Sequence, residues 1–115
     1  MNEYKQINSE EVRMKESSRV LIKYPDRIPI IVCKANDCNL PTIDKQKFLV
    51  PKDMTVGQFM YIIRKRIRLK PEKALFILIN NNLLTGGKLI KEVYEYNKDT
   101  DGFLYITYCS ENTFG

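Results

Sequence analysis

Residues 28–35, IPIIVCKA, are β-branched and apolar on both faces. A strand of that kind is stable only where both sides are covered, so it belongs in the middle of a sheet. A second strand, KFLVP (47–51), follows after the turn NDCNLP, with no helix between them. Next comes the best-marked helix of the chain. Thr55 and Gln58 have the spacing of a capping box. Val56, Phe59, Met60, Ile63 and Ile67 then recur at i, i+3, i+4, i+7 and i+11 as one apolar face. ALFILI (74–79) reads as another strand, NNNLLTGG as a loop, KLIKEVYEY (88–96) as a short helix, KDTDG as a turn and FLYITY (103–108) as the last strand. Before all of these, residues 9–24 read as a charged helix with a thin apolar stripe at Val20 and at Leu21 or Tyr24. Pro25 ends it, because the residue before proline avoids the helical region.

Without that first helix the order is ββαβαβ. The two leading strands are consecutive, which fits a β-grasp and not the βαββαβ of a ferredoxin-like fold. The expected class is α+β: a four-stranded mixed sheet on one main helix, preceded by a helical extension. At 115 residues the chain is long enough for one domain with its own core. Its expected parts are an extension (1–26), the β-grasp (27–110) and a C-terminal tail (111–115).

Several function classes fall away. The chain has no histidine, which excludes Ser-His and Cys-His nucleophilic catalysis. No Lys or carboxylate motif stands in for them, and no cofactor motif is present. Cys33, Cys38 and Cys109 include no Cys-x-x-Cys pair, so reduced, packed thiols are expected and zinc is not. LTGGK lacks the spacing of a phosphate-binding loop and reads as a glycine-rich turn. The opening residues are polar and mixed in charge, so no secretory signal is expected and the cytosol is the expected compartment.

The net charge is +5, with five cations in RKRIRLK (64–70). The run reads as the solvated basic end of a helix, or as a patch facing an acidic partner. DGFLYITY partly matches the aromatic strand of an RNA-recognition motif. Its leading basic residue is Asp101 here and its small residue is Leu104, so sheet packing is the better reading. KQKFLVP mixes Lys45 and Lys47 with Phe48, Leu49 and Val50. At a sheet edge such a strand can add an extended peptide; the same residues also suit an ordinary strand with gatekeeper lysines.

Taken together, KYPDRIPIIVCKA (23–35), DKQKFLVP (44–51), TVGQFMYIIRKRI (55–67), ALFILINN (74–81), EVYE (92–95) and DGFLYITY…ENTFG (101–115) resemble the autophagy ubiquitin-like modifiers, the GABARAP and microtubule-associated protein light chain 3 family. The resemblance runs from about residue 13 to the end. It implies a ubiquitin fold with a helical extension and a modifier that is not an enzyme. It implies conjugation of Gly115 to phosphatidylethanolamine by E1-like and E2-like enzymes, and a cysteine protease that trims and deconjugates it. Phe114 would be a handle for those enzymes. The lipidated form would sit on autophagosomal or other organelle membranes and recruit cargo receptors through a short acidic motif, aromatic-x-x-aliphatic. No specific nucleic acid is implied.

The family's docking groove carries over residue by residue. Its aromatic pocket would use Glu16, Val20, Pro29, Ile31, Lys47, Leu49 and Phe103. Its aliphatic pocket would use Phe48, Val50, Pro51, Phe59, Ile62, Ile63 and Arg66. Lys45 and Lys47 would meet the acidic flank, while Phe48 and Leu49 supply strand pairing. Two such pockets suit alternate side chains of an added strand. Ile62 lies off the apolar face of its helix, so an apolar residue there needs a reason. One departure stands: the family carries Phe near position 10, where this chain has Glu10. Two rivals remain: a ubiquitin-like interaction domain that is never conjugated, and an RNA-binding domain using the basic run and FLYITY.

Overall fold

A computed structural model describes residues 3–36 and 38–110. Its elements are α1 (Glu3–Ile7), α2 (Glu10–Lys23), β1 (Arg27–Lys34), β2 (Lys47–Pro51), α3 (Val56–Arg66), β3 (Phe76–Ile79), β4 (Asn82–Leu83), α4 (Ile90–Asn97) and β5 (Leu104–Cys109). The strands form one sheet in the order β2-β1-β5-β3-β4. β1 and β5 run parallel at its centre, and the other pairings are antiparallel.

Local chemistry explains the main boundaries. Thr55 and Gln58 close both hydrogen bonds of the capping box that starts α3, at 3.1 and 2.9 Å. Ser9 caps α2 by accepting from the Val12 N–H at 3.2 Å. Pro29 sits in an inner strand, where a missing N–H normally breaks the ladder. Here the β1–β5 ladder begins one residue later, at Ile30 opposite Leu104, so no ladder bond is lost.

β1 is covered on both faces, as its composition requires. On one side Ile28, Ile30 and Val32 join Phe48, Val50, Phe59, Ile63, Leu104 and Ile106 in the main core beneath α3. On the other side Ile31 packs with Phe103 and Tyr4 in a smaller cluster. Cys38 and Cys109 are buried and Cys33 is half-buried, all as thiols. Tyr108 donates to the Pro41 carbonyl at 2.7 Å and accepts from the Ile43 N–H at 2.9 Å. That bond pair holds the connection delivering β2 to the edge of the sheet.

The structure adds two elements to those read from sequence. The stretch taken as the loop NNNLLTGG contains the two-residue β4, which extends the four longer strands to five. Asn80 and Asn81 both adopt positive φ, 51° and 67°, between the paired Ile79 and Asn82. Positive φ at both central residues is the tight hairpin turn in which asparagine is favoured. The second addition is α1, too short and too mixed in charge to show a periodic face.

Candidate peptide-docking groove at the β2 edge

Among the described residues β2 is the outer strand and pairs with β1 alone. Val32 donates to the Gln46 carbonyl at 2.9 Å, and the register continues with Ile30 opposite Phe48 and Ile28 opposite Val50. In an antiparallel ladder the main-chain groups alternate, so those of Lys47 and Leu49 point to the open side. Arg27 reaches round the edge and donates to the Leu49 carbonyl at 3.3 Å. A guanidinium at the surface thus stands where an added strand would pair.

The same alternation sorts the side chains. Pro29, Ile31, Lys47 and Leu49 share the face that carries α1 and α2. Phe103 lies against Ile31 on that face, and α2 supplies Glu16 and Val20. Six of the seven residues assigned to an aromatic pocket are therefore brought together, and Val20 follows Glu16 by four residues along α2. Its floor is tightly packed, with Ile31 at 0% and Phe103 at 2% exposure. Val20 and Leu49 are half-buried and Lys47 is exposed, which leaves the α2–β2 side accessible. Glu16 and Lys47 form an ion pair between α2 and β2. That hydrogen bond from Lys47, helped by one from the Tyr4 hydroxyl, holds the Glu16 carboxyl below the usual carboxylate range.

The residues assigned to an aliphatic pocket divide. Phe48, Val50, Phe59 and Ile63 belong to the main core, Phe59 and Ile63 at 0% exposure. Their apolar character is explained by packing under α3. Pro51 and Ile62 stay partly accessible beside a recess of about 400 Å³, completed by Asp53, Met54 and Gln58. Ile62 therefore has its contact at the rim of the core. Lys45 and Arg66 hold their cations 5.1 and 5.6 Å from the centre of the Phe48 ring. Arg66 also pairs with Asp44 at 3.1 Å.

The two sets lie on opposite faces of the sheet, at one open edge. An extended strand points successive side chains to opposite faces. Residues i and i+3 of an added peptide would thus reach opposite faces, which suits an aromatic-x-x-aliphatic spacing. Sequence reasoning missed Tyr4, Asp53, Met54 and Gln58. Only Tyr4 carried a signal, as an aromatic in an otherwise polar segment. Glu10, which stands where the family has Phe, is an exposed acid in the first turn of α2. Phe114 and Gly115 lie outside the described residues.

The basic run is largely occupied by structure. Arg64 donates to the Lys70 and Pro71 carbonyls at 3.0 and 3.3 Å, and Lys65 lies over the Tyr61 ring. Phe103 and Tyr105 pack beneath α1, where Lys5 lies 4.6 Å from the Tyr105 ring centre.

A β-grasp sheet on one main helix, preceded by a helical extension, defines a ubiquitin-like protein. A family profile described as "Autophagy protein Atg8 ubiquitin like" matches residues 12–115. The chain is 56% identical to autophagy-related protein 8a of Arabidopsis thaliana, over 97% of this chain and 92% of the relative. It is 54% identical to autophagy-related protein 8 of Mycosarcoma maydis, over 97% and 95%. Its fold is similar to that of Trypanosoma brucei ATG8, with TM-score 0.92 and 40% identity over 96% of each chain. It is also similar to Plasmodium falciparum Atg8, solved in complex with a Plasmodium falciparum Atg3 peptide, with TM-score 0.86 and 38% identity over 96% and 99%. The chain belongs to the Atg8 family of autophagy ubiquitin-like proteins.

Proposed function

We propose that this chain is a modifier joined through Gly115 to phosphatidylethanolamine, and that its β2 edge docks acidic aromatic-x-x-aliphatic peptides. The observation that carries the docking is the open edge of Lys47–Pro51 between the two side-chain sets on opposite faces. The aromatic residue enters between α2 and β2, and the aliphatic residue sits by Pro51 and Ile62. Lys45, Lys47 and Arg66 draw in the acidic flank. A relative solved with an Atg3 peptide supports a conjugating-enzyme segment as one ligand. Cargo receptors, an E1-like enzyme and a trimming cysteine protease complete the set of partners. Support for conjugation is the family match running through Gly115. The chain acts by being attached and bound, not by catalysing a reaction.

Titration with an acidic aromatic-x-x-aliphatic peptide should shift the amide resonances of residues 47–50 and 62–66. Shifts confined to other regions would overturn the groove. In the same preparation, E1-like and E2-like enzymes, ATP and phosphatidylethanolamine liposomes should lipidate the wild type but not Gly115→Ala. Equal lipidation of both would overturn conjugation at Gly115, and failure of both would favour an unconjugated interaction domain. RNA binding is the weaker reading, because Phe103 is buried and Tyr105 is tied to Asp101.

A further inference from the structure

Four contacts converge on Tyr4, from the short helix that precedes the capped α2. Its ring meets Phe103 edge-on, with centroids 5.5 Å apart and planes at 74°. Its hydroxyl donates to Glu16 Oε2 at 2.9 Å. Lys47 Nζ lies 5.4 Å from its ring centre. It shares a buried cluster with Ile31 and is itself 6% exposed. Phe103, Glu16, Lys47 and Ile31 are all residues of the proposed aromatic pocket. Val20 and Leu49, also of that pocket, remain half-buried. Tyr4 thus stands at the Phe103 end of the pocket, and the α2–β2 end stays accessible.

Such a position is costly to hold without a reason. A helix of five residues does not persist alone in water, so α1 is kept in place by its side chains. Lys5 anchors it to Asp99 at 2.6 Å, and Asn8 Nδ2 donates back to the Tyr4 carbonyl at 3.1 Å. Burial pushes the Tyr4 phenol well above its ordinary range, and Glu16 adds to this. The hydroxyl is therefore a constant donor, and it fixes the carboxylate that in turn holds Lys47.

We infer that Tyr4 is the end wall of the aromatic pocket and the residue that sets which aromatic side chain the pocket accepts. This rests on the docking groove proposed above. The wall's ring limits depth along the Phe103 side. Its hydroxyl, through Glu16, places the Lys47 stem that forms the opposite flank. Removing the ring leaves space beside Phe103, which rewards a larger guest. Enlarging the ring shortens the cavity, which rewards a smaller one.

The test is calorimetric titration of the full chain with three acidic peptides that differ only in Trp, Tyr or Phe at the aromatic position. Tyr4→Ala should move the ratio of dissociation constants roughly ten-fold in favour of Trp over Phe, the scale of discrimination that pocket size provides. Tyr4→Trp should move the ratio towards Phe, and Tyr4→Phe, which keeps the ring but loses the hydroxyl that steadies Glu16, should move it less than Tyr4→Ala. A ratio unchanged in both Tyr4→Ala and Tyr4→Trp would overturn the inference. An equal gain for all three peptides would also overturn it, since Tyr4 would then be a plug that every guest displaces. If Tyr4→Ala fails to fold by circular dichroism, Tyr4→Leu replaces it in the comparison with Tyr4→Trp. A wild-type chain that binds none of the peptides would refute the groove itself, an outcome distinct from a chain that binds without size discrimination.

Discussion

Asp101 ties the extension to the rest of the molecule through one side chain. Its Oδ2 accepts from Arg13 Nη1 at 2.7 Å and from the Tyr105 hydroxyl, while its Oδ1 accepts from the Phe103 N–H at 2.9 Å. The side chain is fully buried, and a buried ion pair stabilises only when its remaining lone pairs are met in this way. Glu16 plays a similar part nearer the surface, between Lys47 and Tyr4. Its carboxyl is held low in the folded chain, first by Lys47. Its contribution is thus present above its unfolded value, about 4.3, and is lost as pH falls through the lower folded value. The expected result is a loosening of α1 and α2 in acid that Glu16→Gln reduces, the remainder at α1 coming from Asp99 paired with Lys5. Amide exchange of those helices, followed from neutral pH downwards, measures it; an identical acid response in Glu16→Gln would count against it.

At the scale of elements, the seating of α2 depends on a glycine far away in sequence. Gly102 has φ +93°, which an L side chain rarely adopts, and a Cβ there would come within 2.4 Å of Ser17 Oγ. That oxygen donates its one proton to the Asp101 carbonyl and has the Met14 carbonyl 3.1 Å away on the other side, so it has little freedom to retreat. Gly102→Ala should destabilise the chain by about 1–3 kcal/mol from backbone strain alone, and clash adds to that. Thermal unfolding checks the size, and faster amide exchange in α2 checks the place; wild-type stability would refute the argument. Elements were legible where their signals are local. The capping box, the apolar periodicity of α3 and the bounds of β2 follow from neighbouring residues. α2 was legible as a helix but its docking face was not. The face buries Arg13 and Ser17, with Val20 only half-buried, and an apolar stripe cannot announce a face held by an ion pair. α1 was invisible because Lys5–Asp99 and Tyr4–Phe103, its anchors, join opposite ends of the chain. The turn at Asn80-Asn81 was readable in principle, since asparagine tolerates positive φ, but β4 contributes only two residues to the ladder.

For the whole molecule, charge acts at a distance. Pairs such as Glu16–Lys47 and Asp44–Arg66 neutralise some of the 19 cations locally and leave the net charge of +5 unchanged. Lys45 keeps its cation over Phe48, beside the open edge. Attraction of an acidic peptide should therefore show mainly in the association rate. Raising salt from about 0.1 M to about 1 M shortens the screening length from roughly 10 to 3 Å. The association rate should then fall roughly ten-fold, with a smaller change in dissociation. Stopped-flow mixing of an acidic peptide with the chain reads both rates. A rate indifferent to salt would mean these cations do not steer.

By itself the sequence determined a β-grasp order of elements, a sheet with a doubly covered central strand, and a family resemblance dense enough to nominate the groove. Those conclusions need only periodicity, caps and turn residues, whose physics acts within a few positions. Tertiary structure decided which nominees remain reachable: Pro51 and Ile62 at a rim, with Phe48, Val50, Phe59 and Ile63 committed to the core. It also decided that Tyr4 stands against Phe103. Burial is a property of what the whole chain brings to one place, and no local pattern encodes which distant residue will arrive there.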